Sequence, residues 1–328
     1  MLKGIFGTLI GMLLLISVMF GQLMINVDNK TTEKEPVEKP DYHIQIIIPN
    51  TDEYFWTLFR KGAKTAEKEF GAYVEFVTVS QRDTKYLQET VEMGVNAGVD
   101  AIALQVADSE DTLSIIEAAT KQGVVLLTYE NDDFIIPNTP MVGSNSYSIG
   151  NIAGDMAVEA SHGTGNVAVI LNDFGEQSDE QYKNLIVQGI LESFSRYSTI
   201  DIENIYTINT DMFEAEKIAS SIITDSNNVD LIICLDERST PGVAQVLVDN
   251  NMVGDVKLIG YGVTPQTLDY IDKGVIYGTV CPNAYDIGYY TVKQITSSLK
   301  GEQISDYIST NLYTIDKKNL FLYEDEFK

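Results

Sequence analysis

Cationic side chains are scarce in this sequence: 22 Lys and Arg stand against 48 Asp and Glu, a formal charge of −26 over 328 residues. That balance excludes nucleic acid as a partner, since neutralising phosphates with Lys and Arg supplies most of such affinity. Cysteine is equally rare, with Cys234 and Cys281 alone; two thiols cannot build a disulfide scaffold or a four-thiolate zinc site. Two histidines, His43 and His162, leave little for a His-rich metal centre or a histidine-based triad. No glycine-rich loop with a lysine follows any strand, so nucleotide phosphates have no cradle. The acid pairs Asp52-Glu53 and Asp132-Asp133 lack the spacing of a calcium loop and read as solvated rim acids. Neither a catalytic constellation, a metal nor a cofactor is expected. What is plentiful is apolar: 44% of the residues are hydrophobic, enough for sizeable cores. The length suggests roughly two domains at ~150 residues each.

Residues Ile5 to Ile25 carry no charge, and at about 1.5 Å per residue they reach about 31 Å, the thickness of a bilayer core. Lys3 is the only charged side chain before them, which keeps the amino terminus cytoplasmic. The exit Met24-Ile25-Asn26-Val27 is a poor mimic of a cleavage site, and no cysteine follows for lipoprotein processing. Residues 1–27 are therefore read as a retained transmembrane anchor, with cleavage as a signal segment, or a buried helix, as the alternatives. Asp28 to Asp41 is polar, contains two prolines and cannot bury a core, so it reads as a flexible tether. The body is expected on the extracytoplasmic face of the cell membrane.

From Tyr42 onward short apolar runs alternate with amphipathic stretches, the rhythm of a parallel α/β sheet. Strands are predicted at 43–49, 73–79, 101–106, 124–129 and 141–144, then at 166–171, 202–208, 231–235, 257–262 and 276–281. Leu58, Gly62, Ala66 and Phe70 share one helical face, as do Leu87, Val91, Gly94 and Val95, and later Ile218, Ala219, Ile222 and Ile223. Two similar series, broken near 140–150, imply two doubly wound domains. Ligands in such sheets sit beyond the carboxyl ends of the strands. Those ends read Asn50 to Trp56, Ala107-Asp108-Ser109, Glu130 to Asp133, Asn172-Asp173, Asp236-Glu237-Arg238 and Asn283. They are rich in carboxylates, carboxamides and aromatics and poor in nucleophiles, a set that bonds hydroxyls and stacks on a sugar ring. Asp236 and Glu237 are adjacent, which rarely gives the ~5–10 Å spacing of glycosidase carboxylates, and Arg238 is expected in an ion pair across the cleft. Cys234 and Cys281 are expected as half-buried thiols.

Tyr54-Phe55-Trp56-Thr57 leading into Gly62-Ala63, Gly98 to Ile102, Asn151-Ile152-Ala153-Gly154 and Ile259-Gly260-Tyr261-Gly262 follow one another in an order and spacing that resembles the type I periplasmic sugar-binding proteins, ribose-binding-protein-like. The resemblance runs from about Asp41 to Asn319. It implies two Rossmann-like lobes joined by a three-crossing hinge, one of 42–143 plus 283–311 and one of 144–282 plus 312–328. It implies ligand contacts from Phe55, Trp56, Glu130, Asn131, Asn184, Asp236 and Asn283, to which the strand ends add Tyr54 and Asp108. Departures are visible: Glu130-Asn131 and Lys183-Asn184 stand where the family has arginine, Asp236 replaces an asparagine, Gly262 replaces an aspartate, and Pro282 replaces a glutamine with Asn283 beside it. Altered polar groups imply an altered ligand. The ligand expected is a monosaccharide, a pentose included, with a non-sugar polyol signal or a cleft enzyme as the alternatives. The implied membrane partner is the permease of an ABC importer or a sensor histidine kinase.

Overall fold

Ile44, Ile46, Ile47 and Ile48 fall in β1 (Tyr42–Pro49), and this run has the near-continuous apolar character of a parallel strand covered on both faces. The computed structural model describes residues 40–50, 53–80, 84–105, 110–130, 136–172, 178–208, 212–225 and 229–323. β2 (Ala72–Val79), β3 (Ala101–Leu104), β4 (Val125–Tyr129), β5 (Met141–Gly143) and β11 (Tyr307–Ser309) complete a first sheet, ordered β11-β5-β4-β3-β1-β2 with every pairing parallel. A second sheet contains β6 (Thr164–Asn172), β7 (Thr199–Ile208), β8 (Leu231–Leu235), β9 (Lys257–Tyr261), β10 (Gly278–Pro282) and β12 (Leu312–Asp316). Its order is β12-β10-β9-β8-β6-β7, and only the β10–β12 pair is antiparallel. Apart from the added edge strands, the two sheets repeat one winding order.

The chain passes between the sheets after β5, after β10 and between β11 and β12. The ten expected strands are all present, with ends shifted by a few residues. β11 and β12 were not expected. Each is an edge strand whose partner is distant in sequence, so local periodicity gives no sign of it. Cys234 and Cys281 lie on β8 and β10 with β9 between them, and no disulfide joins them. They are fully rather than half-buried, because both strands are interior to a sheet covered on both faces. Burial, with Asp236 adding, pushes the Cys234 thiol up to about 12. Among the described residues no helix is long and apolar enough to cross a membrane. The apolar run 5–25 and nearly all of the tether 28–41 lie outside those residues.

Helices cover the sheets in pairs. α1 (Tyr54–Phe70) packs on α9 (Ala284–Leu299), and α2 (Thr84–Ala97) on α3 (Glu110–Lys121). In the second half α4 (Ser146–Ser161) packs on α5 (Ser178–Phe194) and α6 (Met212–Asp225) on α7 (Ser239–Asp249), while α8 (Pro265–Asp272) follows β9. The return of the chain after β10 therefore places α9 against β4 and β5 of the first sheet. The α1–α9 contact is a backbone-to-backbone approach: a Cβ on Gly62 would lie 1.9 Å from the Tyr285 carbonyl oxygen, and one on Gly288 would lie 2.1 Å from that of Phe59.

Gly62→Ala should therefore destabilise the protein. Overpacking costs about 1–3 kcal/mol, and the better helix propensity of alanine returns at most about 1 kcal/mol. Urea unfolding checks this; a midpoint equal to the parent's would contradict so close a crossing.

Candidate functional site

Strand order reverses about β1 and β3 in the first sheet and about β6 and β8 in the second, so the crevices of the two sheets open beside the ends of these strands. Beyond β1 the chain turns into α1, whose first three residues are Tyr54, Phe55 and Trp56. The backbone N–H groups of a first helical turn have no partner inside the helix. Glu53 occupies the N-cap position with an extended ψ of 139°, yet its side chain makes no capping hydrogen bond. The cap comes instead from the end of β8. Glu237 Oε2 accepts from the Phe55 amide at 3.1 Å, and Oε1 accepts from the Val263 amide at 3.3 Å. Beside this, Arg238 Nε lies 3.4 Å from Glu53 Oε1, close enough for an ion pair but without hydrogen-bond alignment. That is the ion pair between the two halves expected for Arg238.

Glu237 is 6% exposed, and the backbone after β9 makes room for it. Gly262 has φ +82°, and a Cβ there would lie 2.5 Å from Glu237 Cγ. A side chain at 262 would therefore need both a strained backbone and the space the glutamate fills. Burial pushes the Glu237 carboxyl above the usual carboxylate range, the amides of Phe55, Val263 and Tyr54 oppose the rise, and Asp236 adds to it. Burial, followed by the charge of Glu237, also raises the Tyr54 phenol.

The aromatic residues form one wall. Trp56 meets Phe55 edge-on at 4.8 Å, Phe59 at 5.5 Å and Tyr129 at 5.9 Å between ring centroids. Tyr129 is fixed by its hydroxyl, which donates to the Ile47 carbonyl. Trp56 is 4% exposed, so most of its ring is core, and its indole N–H has no acceptor among the described residues.

Three of the polar residues expected to meet hydroxyls have partners inside the protein. Glu130, at φ +50°, accepts from the Ser144 amide at 2.6 Å and from the Ser144 hydroxyl at 3.0 Å, where the chain first leaves the first sheet. Asp236 Oδ1 accepts from the amide of Ser239 at 2.7 Å and from its hydroxyl, at the start of α7. Asn283 caps α9: Oδ1 accepts from the Asp286 amide at 3.0 Å, and Nδ2 donates to Asp286 Oδ2 at 2.6 Å. Strand ends that lead into helices are capping positions as well as ligand positions, and Asp, Asn and Glu suit both. Asn184 lies on α5, and Asp108 and Asn131 lie outside the described residues. Sequence reasoning missed Glu237 as a site residue. The only signal was its place at a strand end, since its partners Phe55 and Val263 lie on other elements.

The sequence pattern of the periplasmic binding protein domain fits residues 44–303. The chain is similar to the D-allose-binding periplasmic protein of Escherichia coli (strain K12), with 22% identity over 274 residues that cover 79% of this chain and 85% of the relative. Among solved structures it is similar to GanP, a glucose-galactose binding protein from Geobacillus stearothermophilus, at a TM-score of 0.75 and 25% identity over 85% of this chain and 98% of that one. It is also similar in fold to a chain of the XylFII-LytSN complex, at a TM-score of 0.72 and 23% identity over 84% of this chain and 98% of that one.

With its pKa raised by folding, Glu237 binds a proton more readily in the folded than in the unfolded chain. Its contribution to stability is thus fully present below the ordinary value of 4.5 and is lost as pH rises through the raised value. Against Glu237→Gln, the parent should lose relative stability as pH rises from 4.5 through the raised value. Urea unfolding of both proteins across that range reads the difference; a constant gap would contradict the burial-driven shift. Among the described residues, Asp236 and Tyr54 interact electrostatically with Glu237, and Arg238, paired with Glu53, is its neighbour in the chain.

Proposed function

This chain belongs to the periplasmic binding protein domain family, and from that premise we propose that it is an extracytoplasmic binding protein that closes on a small carbohydrate. The observation that carries this reading is the 3.1 Å hydrogen bond from the Phe55 amide to Glu237, which joins the crevice of one sheet to the crevice of the other. A ligand held there would touch both halves of the molecule. Phe55 and Trp56 supply an apolar wall for the C–H face of a sugar ring. A buried N–H without an acceptor costs about 1–3 kcal/mol, so the Trp56 indole, which has none among the described residues, favours a ligand that brings an oxygen. Tyr54, Asp108, Asn131 and Asn184 are the further contacts we assign to it. Glu130 and Asp236 combine capping with hydroxyl recognition, since an ionised carboxylate has about four acceptor sites. Asn283 has both ends of its amide on Asp286 and contributes chiefly by positioning the second passage of the chain.

The names of the relatives agree with this ligand class: one binds D-allose and one glucose and galactose. A monosaccharide is therefore the proposed ligand. Asp236 and Glu237, engaged with Ser239, Phe55 and Val263, favour binding over turnover. We assign residues 1–27 to a membrane anchor and 28–41 to a tether, which would hold the body beside a membrane partner. That partner is the permease of an ABC importer or a sensor histidine kinase. The XylFII-LytSN complex supports a protein partner for this fold, and the genes beside this one distinguish the two: a permease with its ATPase, or a kinase with its response regulator.

A thermal-shift screen against monosaccharides tests the ligand class. At about 100 times its dissociation constant a true ligand adds about 2.7 kcal/mol of stability, and a screen without any shift would contradict the reading. For the sugar that emerges, Trp56→Phe keeps an aromatic ring but removes the N–H, and should weaken binding by about 0.5–1.5 kcal/mol; an unchanged titration would remove the indole from the site. Cell fractionation should leave the full-length chain with the membranes after a salt wash. Recovery in the soluble fraction without the first ~26 residues would replace the anchor by a cleaved signal segment.

A further inference from the structure

The hydrogen bonds of Glu237 join parts of the chain 182 residues apart. The glutamate follows β8 of the second sheet, whereas Tyr54 and Phe55 open α1, which is packed on the first sheet through α9. The carboxylate is buried, and it meets main-chain amides of both halves: Phe55 at 3.1 Å on one side and Val263 at 3.3 Å on the other. Next to it, Glu53 and Arg238 pair between the same two elements at 3.4 Å. Separating the halves breaks both contacts at once, because each has one partner in each half. It also strips the first turn of α1 of the only side-chain cap that the described residues show for it. The space for the device is built in, since Gly262 leaves room that any side chain would take from Glu237.

We infer that Glu237, seconded by Arg238, is an interlobe latch that sets the balance between the open and closed forms of the protein. This rests on the reading that the halves close on a ligand, but the latch acts through protein groups alone. A ligand then needs to supply only part of the closing free energy, and its apparent affinity depends on how far the latch has already shifted the equilibrium. The latch uses both carboxyl oxygens, one for the Phe55 amide and one for the Val263 amide, whereas a glutamine in its place keeps much of the shape but offers a single acceptor oxygen.

The test uses the full chain without sugar, so a failure to find a sugar would leave it intact. Cysteines placed at Lys61 on α1 and Lys217 on α6, both exposed, carry a pair of distance labels; the native thiols are buried. Amide exchange of the peptide containing Phe55 is followed in parallel. Glu237→Ala should lengthen the interlobe distance and speed exchange of the Phe55 amide by ~10–100-fold, the loss of charge-assisted hydrogen bonds. Glu237→Gln should shift both in the same direction by less. Faster exchange at an unchanged distance would make Glu237 a helix cap only and overturn the latch, as would no change in either. Should Glu237→Ala fail to fold, Arg238→Ala carries the test, since it removes the rim pair and leaves the buried carboxylate in place. A longer distance there supports the latch, and an unaltered one overturns it.

Discussion

The first turn of α1 presents backbone N–H groups that its own N-cap residue does not satisfy, and a buried glutamate from the other sheet satisfies them. Much of the molecule is arranged around that exchange. Glu237 reaches Phe55 because β8 ends at the switch point of its sheet, as β1 does in the first. It fits because Gly262 has no side chain and takes a positive φ. Its chain neighbour Arg238 pairs with Glu53 between the same two elements. An unpaired carboxylate in that place would be costly, so the two halves are complementary at this point.

The passages between the sheets follow a related logic. At the first, Glu130 adopts a left-handed backbone and grips Ser144 by both its amide and its hydroxyl. At the second, Asn283 caps α9 and holds Asp286, and its own amide donates to the Asn311 carbonyl, which belongs to the third passage. Residues of the chemical type that recognises hydroxyls are thus spent in part on fixing where the chain turns.

The ten main strands were legible in the sequence because interior parallel strands are apolar on both faces, as the isoleucines of β1 show. The paired winding followed from their alternation with helices. β11 and β12 were not legible, because edge strands of three and five residues take their conformation from partners far away in the chain. At the site, the Arg238 ion pair was foreseen from charge alone, since a lone cation among strand-end acids has few other uses. Glu130, Asp236 and Asn283 were expected to meet ligand hydroxyls, and their partners within the protein were not foreseen, because a cap and a hydroxyl contact need the same atoms. Glu237 carried no distinguishing mark. Its importance comes from the arrangement of the two sheets, which no local pattern encodes.

The central claim is that the strand-end crevices of the two sheets form one clamp for a small, hydroxyl-rich ligand. X-ray scattering of residues 41–328, which hold together as one compact unit, tests it most directly when recorded with and without a saturating monosaccharide. Closure gives a smaller radius of gyration with the sugar and a distance distribution that loses its longest separations. Identical curves at saturation, with binding verified by calorimetry in the same samples, would contradict closure of the two lobes on the sugar.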